Sequence, residues 1–567
     1  INELENETEV LRYDNDKLGN RIIDLESANS ELMNSYEQLI SDFDNLTSEI
    51  NSLNVELAEL ENRSNVDSEL LERIALLEQI IADLEEDVEE LMFDKSLLFN
   101  KLYLIRDIYP GNVQFSDEYC TIGCSAITRN MFNSGYMQTS SEIGVHENYI
   151  LFGAKNENNI HHNSAPTLWV SDGTGFGTFE ISKFTDPGEF MSVQTGVFFT
   201  AFEWGTGNGR DDYGNEIFFT DGSAQGTVRV TNDNRACEGD VYKIYGVSGD
   251  SIFVGSNVYD SYSCASGSDG ERLYRITALD NGEFEIVSLD FNNLYNVRYN
   301  NYVVLEDKLF FTSSNYDDNT IGLYYAGFQN ITLINEYSDN ARFGKFGVAN
   351  GSVYFAFGDF GNESLWKTDG TEAGTFRFKT FQNNSLDNVY ITSMSTDVTR
   401  DLIYFEVALI GEDGNRSDNI YISDGTTDGT YSVIEGTGQE TYRFFQDEIN
   451  GDVLFVADRY LDGDLHFYHL NESNYSFEFK FNSTIDNYLN FYDSIFVGGA
   501  IYMIGSDNIF GEELWKIDMD REHIGILHDI NPGTSQSGID SLVYFEGKVF
   551  FSAYSPTYGG EFWYITV

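Results

Sequence analysis

Two hydrophobic rhythms divide the chain. Over the first hundred residues leucine returns at every seventh position: Leu4, Leu11, Leu18, Leu25, Leu32, Leu39, Leu46, Leu53 and Leu60. The positions four further on are Thr8, Asn15, Ile22, Asn29, Tyr36, Phe43, Ile50, Leu57 and Ser64. Together they form the a/d seam of a coiled coil. After a polar interval the seam resumes at Ile74, Leu77, Ile81, Leu84, Val88 and Leu91. Leu60 and Leu70 stand a heptad plus three residues apart, which predicts an irregularity over 61–69. Asn15 and Asn29 at the seam disfavour higher-order bundles, so a parallel dimer is expected first and a trimer second. At about 1.5 Å per residue, a helix over 1–101 reaches roughly 150 Å, the dimension of a stalk.

Beyond the stalk the rhythm changes to short strands. A triplet of apolar and aromatic residues recurs: Ile150-Leu151-Phe152, Val197-Phe198-Phe199, Ile252-Phe253-Val254, Leu309-Phe310-Phe311 and Val353-Tyr354-Phe355. It continues as Ile403-Tyr404-Phe405, Val453-Leu454-Phe455, Ile501-Tyr502-Met503 and Val549-Phe550-Phe551, at spacings of 44 to 57 residues. A small residue generally follows the triplet. Then comes a second strand with a tight turn, strongest at Leu365-Trp366-Lys367-Thr368-Asp369-Gly370-Thr371. Further strong copies end in Asp172-Gly173-Thr174, Asp221-Gly222-Ser223 and Asp424-Gly425-Thr426. Asp-Gly gives the backbone freedom of a hairpin turn, and the Asp and Thr side chains can bond back to turn amides. With one strand before the triplet and one after the turn, each unit has four strands. A period of this length, built of short strands, predicts an all-β propeller of about nine four-stranded blades behind the coiled coil.

The chain ends predict how the ring closes. The last unit stops at Trp563-Tyr564-Ile565-Thr566-Val567, one strand short. Residues 104–111 match 526–533, a fourth strand, position by position. The N-terminal strand, residues 102–109, is therefore expected beside 562–567, closing the ring and hiding its edges. The expected domains are a coiled-coil stalk at 1–101 and a propeller at 102–567. The propeller divides into a closing strand at 102–111, an insertion at 112–142 and blades over 143–567.

The hairpin resembles the repeat of the ELWxxDGT proteins, an extracellular microbial family. The residues that carry the resemblance are Leu365 to Thr375 and Glu512-Glu513-Leu514-Trp515. It covers roughly 104–567 and implies secretion and a surface or adhesive setting. It brings no catalytic residues.

Composition narrows the partners. Acidic residues number 94 against 32 basic ones, a net charge of -62. Nucleic acid and anionic membranes are excluded, since phosphate binding rests on Lys and Arg. Such a surface attracts cations instead. No apolar run is long enough to span a bilayer. The heptads are already running at Ile1, so a preceding segment is expected. Cys120, Cys124, Cys237 and Cys264 are candidate disulfide residues in a secreted chain, in pairings the sequence does not fix, against free buried thiols. Candidate N-glycosylation sites are Asn330, Asn350, Asn362, Asn383, Asn415, Asn471, Asn474 and Asn482, with Asn6, Asn45 and Asn62 in the stalk.

Catalytic signals are absent from the reading. His161-His162 and His466 with His469 have no metal spacing on strands. Calcium at Asp172, Asp221, Asp369 or Asp424 is weighed against each Asp tying its own turn, and the turn is favoured. The loops at Glu412-Asp413-Gly414-Asn415 and Asp462-Gly463-Asp464 are the next calcium candidates. No cofactor is expected. The leading expectation is an exported, oligomeric, structural or adhesive surface protein, not an enzyme. Its stalk would present propeller heads to neighbouring heads or surface glycans, as in an appendage or coat. The alternatives are a carbohydrate-active propeller enzyme and a viral receptor-binding fibre.

Overall fold

The structure is a computed structural model that describes residues 102–106 and most of 143–567. Residues 1–101, 107–142, 155–165, 203–215, 232–239 and 259–271, with several shorter turns, lie outside it. The chain divides into two units, Ile1–Phe99 and Asn100–Val567, and only the second is described. The expected coiled coil, its irregularity at 61–69 and the insertion at 112–142 all lie outside the described residues. Within them every regular element is a strand. The expected fold class, a propeller behind a coiled coil, is corrected to an all-β, propeller-like fold. The expected self-association as a coiled-coil dimer or trimer is not supported by the described residues, none of which forms a helix.

The reason for strands is visible in one sheet. Arg342–Ala349, Ser352–Asp359, Asn362–Thr368 and Phe376–Lys379 pair antiparallel in that order. The second strand carries the triplet, and Val353, Tyr354, Phe355 and Ala356 are all buried. Its two faces pack on different neighbours. Tyr354 and Ala356 meet Val389, Ile391 and Phe405, while Val353 and Phe355 meet Phe310, Leu323 and Ile334. A strand covered on both faces needs no polar alternation, which is why the triplets read as unbroken apolar runs. Each large side chain buried there contributes about 1.5–3 kcal/mol.

The Asp-Gly-Thr turn is held by its own side chains. Asp369 Oδ1 accepts from the Thr371 N–H at 2.9 Å and from the Thr371 hydroxyl at 2.7 Å. Thr371 Oγ1 in turn accepts from the Gly374 N–H at 2.9 Å, and Thr368 Oγ1 from the Gly370 N–H at 3.0 Å. The same bonds recur at Asp172, Asp221 and Asp424. Each turn also rests on the neighbouring group of strands. Gly222 stands over Tyr149, Gly370 over Phe310, and the Gly425 carbonyl accepts from the Tyr354 hydroxyl at 3.3 Å.

About nine separate four-stranded sheets were expected. Among the described residues there are five, with one seven-stranded and one eight-stranded sheet. Two local features fuse the others. Phe179–Val193 runs unbroken for 15 residues and serves as the last strand of one group and the first of the next. In the larger sheet, Asn362 forms a parallel bridge with Val389.

First strands of successive groups touch. Arg342–Ala349 lies against Tyr295–Leu305 and Asn388–Asp397, and Asp540–Phe545 lies against Tyr488–Val497 and Ile143–His146. Polar seams reinforce these contacts. Asp397 is fully buried and accepts from Arg400 Nη1 at 3.1 Å, Tyr404 Oη at 3.3 Å and Gln446 Nε2 at 3.2 Å. Asp447 reaches the next group, accepting from the Gly499 N–H at 2.8 Å. At the chain's end, Tyr103–Arg106 lies antiparallel to Gly559–Thr566, with Tyr103 opposite Tyr564 and Leu104 opposite Trp563.

Candidate functional site

The fused seam carries an exposed turn held by several contacts. The turn between Ser352–Asp359 and Asn362–Thr368 reads Asp359-Phe360-Gly361-Asn362-Glu363. An aromatic at a two-residue turn has no core to enter, and Phe360 is 66% exposed. The turn itself is fixed. The Val389 N–H donates to the Gly361 carbonyl at 2.9 Å, and the Ile391 N–H donates to Glu363 Oε2 at 2.8 Å. Gly361 has φ 76°, and a Cβ there would lie 2.6 Å from Asn388 Oδ1, so glycine is required twice over. One cation and one ring hold Phe360. The Arg342 guanidinium lies 4.7 Å from its centroid, and Tyr390 meets it edge-on at 5.2 Å. Burial raises the Glu363 pKa, while the Ile391 N–H and Arg342 pull it down.

A second cluster lies along the same first strand, Asn388–Asp397. Ser393 donates to Glu406 Oε2 at 3.3 Å. Arg416 Nε bonds both oxygens of fully buried Asp418, at 2.8 and 2.9 Å, and its Nη2 is 3.9 Å from Glu406 Oε1. Burial first, with help from Asp418, pushes the Glu406 pKa up to about 7. Glu513 also rises to about 7 through burial, yet it has a structural task. It accepts from the Ile530 and Asn531 N–H groups at 2.9 and 3.1 Å and so ends the strand that follows it. Glu406 has hydroxyl partners and no such backbone duty.

Neither cluster was singled out from the sequence, although one signal was present. The residue after each triplet is Gly153, Thr200, Gly255, Thr312, Ala356, Glu406, Val456, Ile504 or Ser552. Glu406 is the one ionisable residue in that series. Phe360 left no comparable mark.

The residues expected to act are scattered. Cys120, Cys124, Cys237 and Cys264 lie outside the described residues, as do Asn383, Asn474, Glu412, Asp413, Asp462, His161 and His162. The side chain of Asn482 also falls outside. Asn330, Asn350, Asn362 and Asn415 are exposed on separate turns. Asn471 is half-buried and donates to Glu478 Oε1 at 2.5 Å. The four turn aspartates spend Oδ1 on their own turns. His469 lies 3.9 Å from Asp452, and His466 pairs three residues away along the same strand. Among the described residues no group of three or more His, Cys, Asp or Glu is placed to hold a metal ion. No described helix is long and apolar enough to cross a membrane.

No family model matches the chain, and no curated protein does. Solved structures do resemble it. One set describes two prolyl endopeptidases, with 10% identity and a TM-score of 0.35, covering 65% of this chain and 52% of that one. A puromycin-hydrolyzing peptidase of Mycobacterium tuberculosis gives 9%, 0.33, 74% and 59%. The β-propeller domain of the Trilobed protease from Pyrococcus furiosus gives 12%, 0.31, 57% and 93%. The chain thus spans about half of the first of these. The similar structures include peptidases, a peptidase's propeller domain, an oligogalacturonate lyase and TolB. The expectation of a non-enzymatic, structural or adhesive stalk protein is corrected to the fold alone, an all-β, propeller-like one, since the residues of the expected stalk lie outside those described and these likenesses carry no more than the fold.

Proposed function

We propose that residues 100–567 form a recognition domain that takes a cationic polypeptide segment on the turn 359–363. The observation behind this reading is Phe360, an exposed ring on a turn tied to its neighbour by two hydrogen bonds, one to the Gly361 carbonyl and one to the Glu363 carboxylate. Arg342 already uses one region of that ring as a cation partner, and the remaining exposed surface can take a Lys or Arg side chain. Asp359, exposed and next to Phe360 in sequence, adds a carboxylate to the same turn. The net charge of -62 supports a basic partner, because the summed field draws it in from a distance. A turn already ordered before binding loses little entropy on contact. The resemblance to ELWxxDGT repeats and the exposed sequons support an extracellular setting for this domain.

The test is a displayed library of Lys- and Arg-rich peptides, with acidic peptides of equal length as control. Basic peptides are expected to bind. Phe360→Ala should weaken the best binder about 2- to 30-fold, the range of a cation–π contact. Equal binding by the variant removes the turn from the reading. Equal binding of acidic peptides removes the reading altogether.

Glu406 favours a second reading, proton-transfer chemistry beside the same strand. A carboxyl with a pKa of about 7, next to a paired carboxylate and guanidinium, suits a general acid or base. If a hydrolytic activity is found, Glu406→Gln should remove the limb of its pH profile near 7. A profile unchanged in that variant ends this reading.

A further inference from the structure

Asparagine stands before glycine at Asn208, Asn281, Asn350 and Asn450. In such a pair the glycine nitrogen can attack the asparagine side-chain carbonyl, because glycine has no Cβ to obstruct the approach. Asn208 lies outside the described residues, and two of the other three pairs are tied at both reacting groups. Asn281 Oδ1 accepts from the Glu283 N–H at 3.0 Å, and its Nδ2 donates to Glu283 Oε2 at 2.9 Å. The Gly282 N–H, the attacking group, donates to the Leu279 carbonyl at 2.9 Å. Asn450 repeats the arrangement. Its Oδ1 accepts from the Asp452 N–H and its Nδ2 donates to Asp452 Oδ2, both at 2.9 Å, and the Gly451 N–H donates to the Asp447 carbonyl at 2.9 Å.

Asn350 and Gly351 are different. They form the exposed two-residue turn between Arg342–Ala349 and Ser352–Asp359, with Ala349 opposite Ser352. Among the described residues, neither the Asn350 side-chain amide nor the Gly351 N–H has a hydrogen-bond partner. A Cβ at Gly351 would meet nothing within 4 Å, so the space around the reacting atoms is open. The turn is held instead by the Asn350 N–H, which donates to Asp401 Oδ1 at 2.6 Å. An exposed turn of this kind opens locally at little cost.

We propose that Asn350 is a site of spontaneous deamidation. The Gly351 nitrogen loses its proton to base and bonds to Asn350 Cγ. The Cγ–Nδ2 bond breaks and ammonia leaves, closing a succinimide ring. Water then opens the ring at either carbonyl. One opening gives aspartate, and the other gives isoaspartate, with the main chain routed through Cβ and Cγ. Water is the sole co-reactant. Both products put a negative charge on the residue whose N–H holds Asp401, so two carboxylates come to share one turn. Isoaspartate also lengthens the turn, which breaks the register of Ala349 with Ser352. The reaction therefore loosens the tie between this group of strands and the next as the protein ages.

The experiment is incubation of the full chain at neutral and at mildly alkaline pH, with peptide mapping by mass spectrometry over time. The chain is made in a host that adds no N-glycan, because Asn350-Gly351-Ser352 is a sequon and a sugar on Nδ2 would block the reaction. Conversion of amide to acid at Asn350 is expected about tenfold or more ahead of Asn281 and Asn450, whose bonds must break first. Its rate should rise with pH, since the attacking nitrogen is the deprotonated one. In urea, where the bonds at Asn281 and Asn450 are gone, the three sites should react at similar rates. Equal conversion at the three sites of the folded chain overturns the proposal. So does an Asn350 that stays intact in the folded chain while it reacts in urea.

Discussion

Gly374 shows how much a single position can be constrained by its neighbour's side chain. A Cβ at Gly374 would fall on the carboxylate of Asp369, the group that ties the turn. Gly177, Gly226 and Gly429 face Asp172, Asp221 and Asp424 in the same way. Gly374→Ala is expected to destabilise the chain by about 1–3 kcal/mol, as overpacking does, read from the urea midpoint. The bonds from Thr371, first its hydroxyl and then its N–H, hold the Asp369 carboxyl below its ordinary pKa. This turn was legible from sequence because its chemistry is local: every partner lies within six residues. Glu406 was harder to read, since its partners Ser393, Asp418 and Arg416 come together only across three strands. Its folded pKa of about 7 stands above that of an unfolded glutamate. The folded state therefore holds its proton more tightly. That contribution to stability is complete below the unfolded value and fades as pH climbs toward 7. Glu406→Gln should flatten this part of the pH dependence, measured as urea midpoints between pH 4.5 and 7.

Elements join through polar seams that the sequence pattern did not announce. Periodicity marks which strands are apolar, and it says nothing of which acid at a strand end will reach the next group. Asp397 gathers Arg400, Tyr404 and Gln446 in one buried set of bonds. Asp397→Ala leaves Arg400 half-compensated and should cost about 3–5 kcal/mol, the usual loss when one partner of a buried pair is removed. The fusions were equally hidden. A strand of 15 residues such as Phe179–Val193 reads as two elements with Pro187-Gly188 between them, yet it runs through both. The pairing of Tyr103–Arg106 with Gly559–Thr566 was easier, since 104–111 repeats the residues of a known fourth strand. Leu104→Pro places a proline in the ladder opposite Trp563. Amides of Gly559–Thr566 should then exchange at least tenfold faster, followed by hydrogen exchange and mass spectrometry.

For the whole molecule, charge decides more than shape. With a net charge of -62, the association rate of any basic peptide should fall by on the order of tenfold or more as salt rises from low to physiological strength. Stopped-flow rates at several salt concentrations check this, and a flat profile would mean that the field does no steering. The all-β part of the chain was readable because a repeat announces itself nine times over. The surface that carries the proposal was not, because Phe360 belongs to no repeat and the strand that ties its turn, Asn388–Asp397, belongs to the next group. A rigid array of sheets can carry such a turn at no cost to its own packing.

The strand at Tyr103–Arg106 also sets a clock. Its partner strand begins at Gly559, so during synthesis it must stay unpaired while more than four hundred residues follow it out of the ribosome. At 5–20 residues per second that delay is roughly 20–90 s. Until it ends, two hydrogen-bonding edges stand open on a nascent chain. A cell that makes this protein therefore has to shield those edges, or release the chain quickly, for the length of that interval.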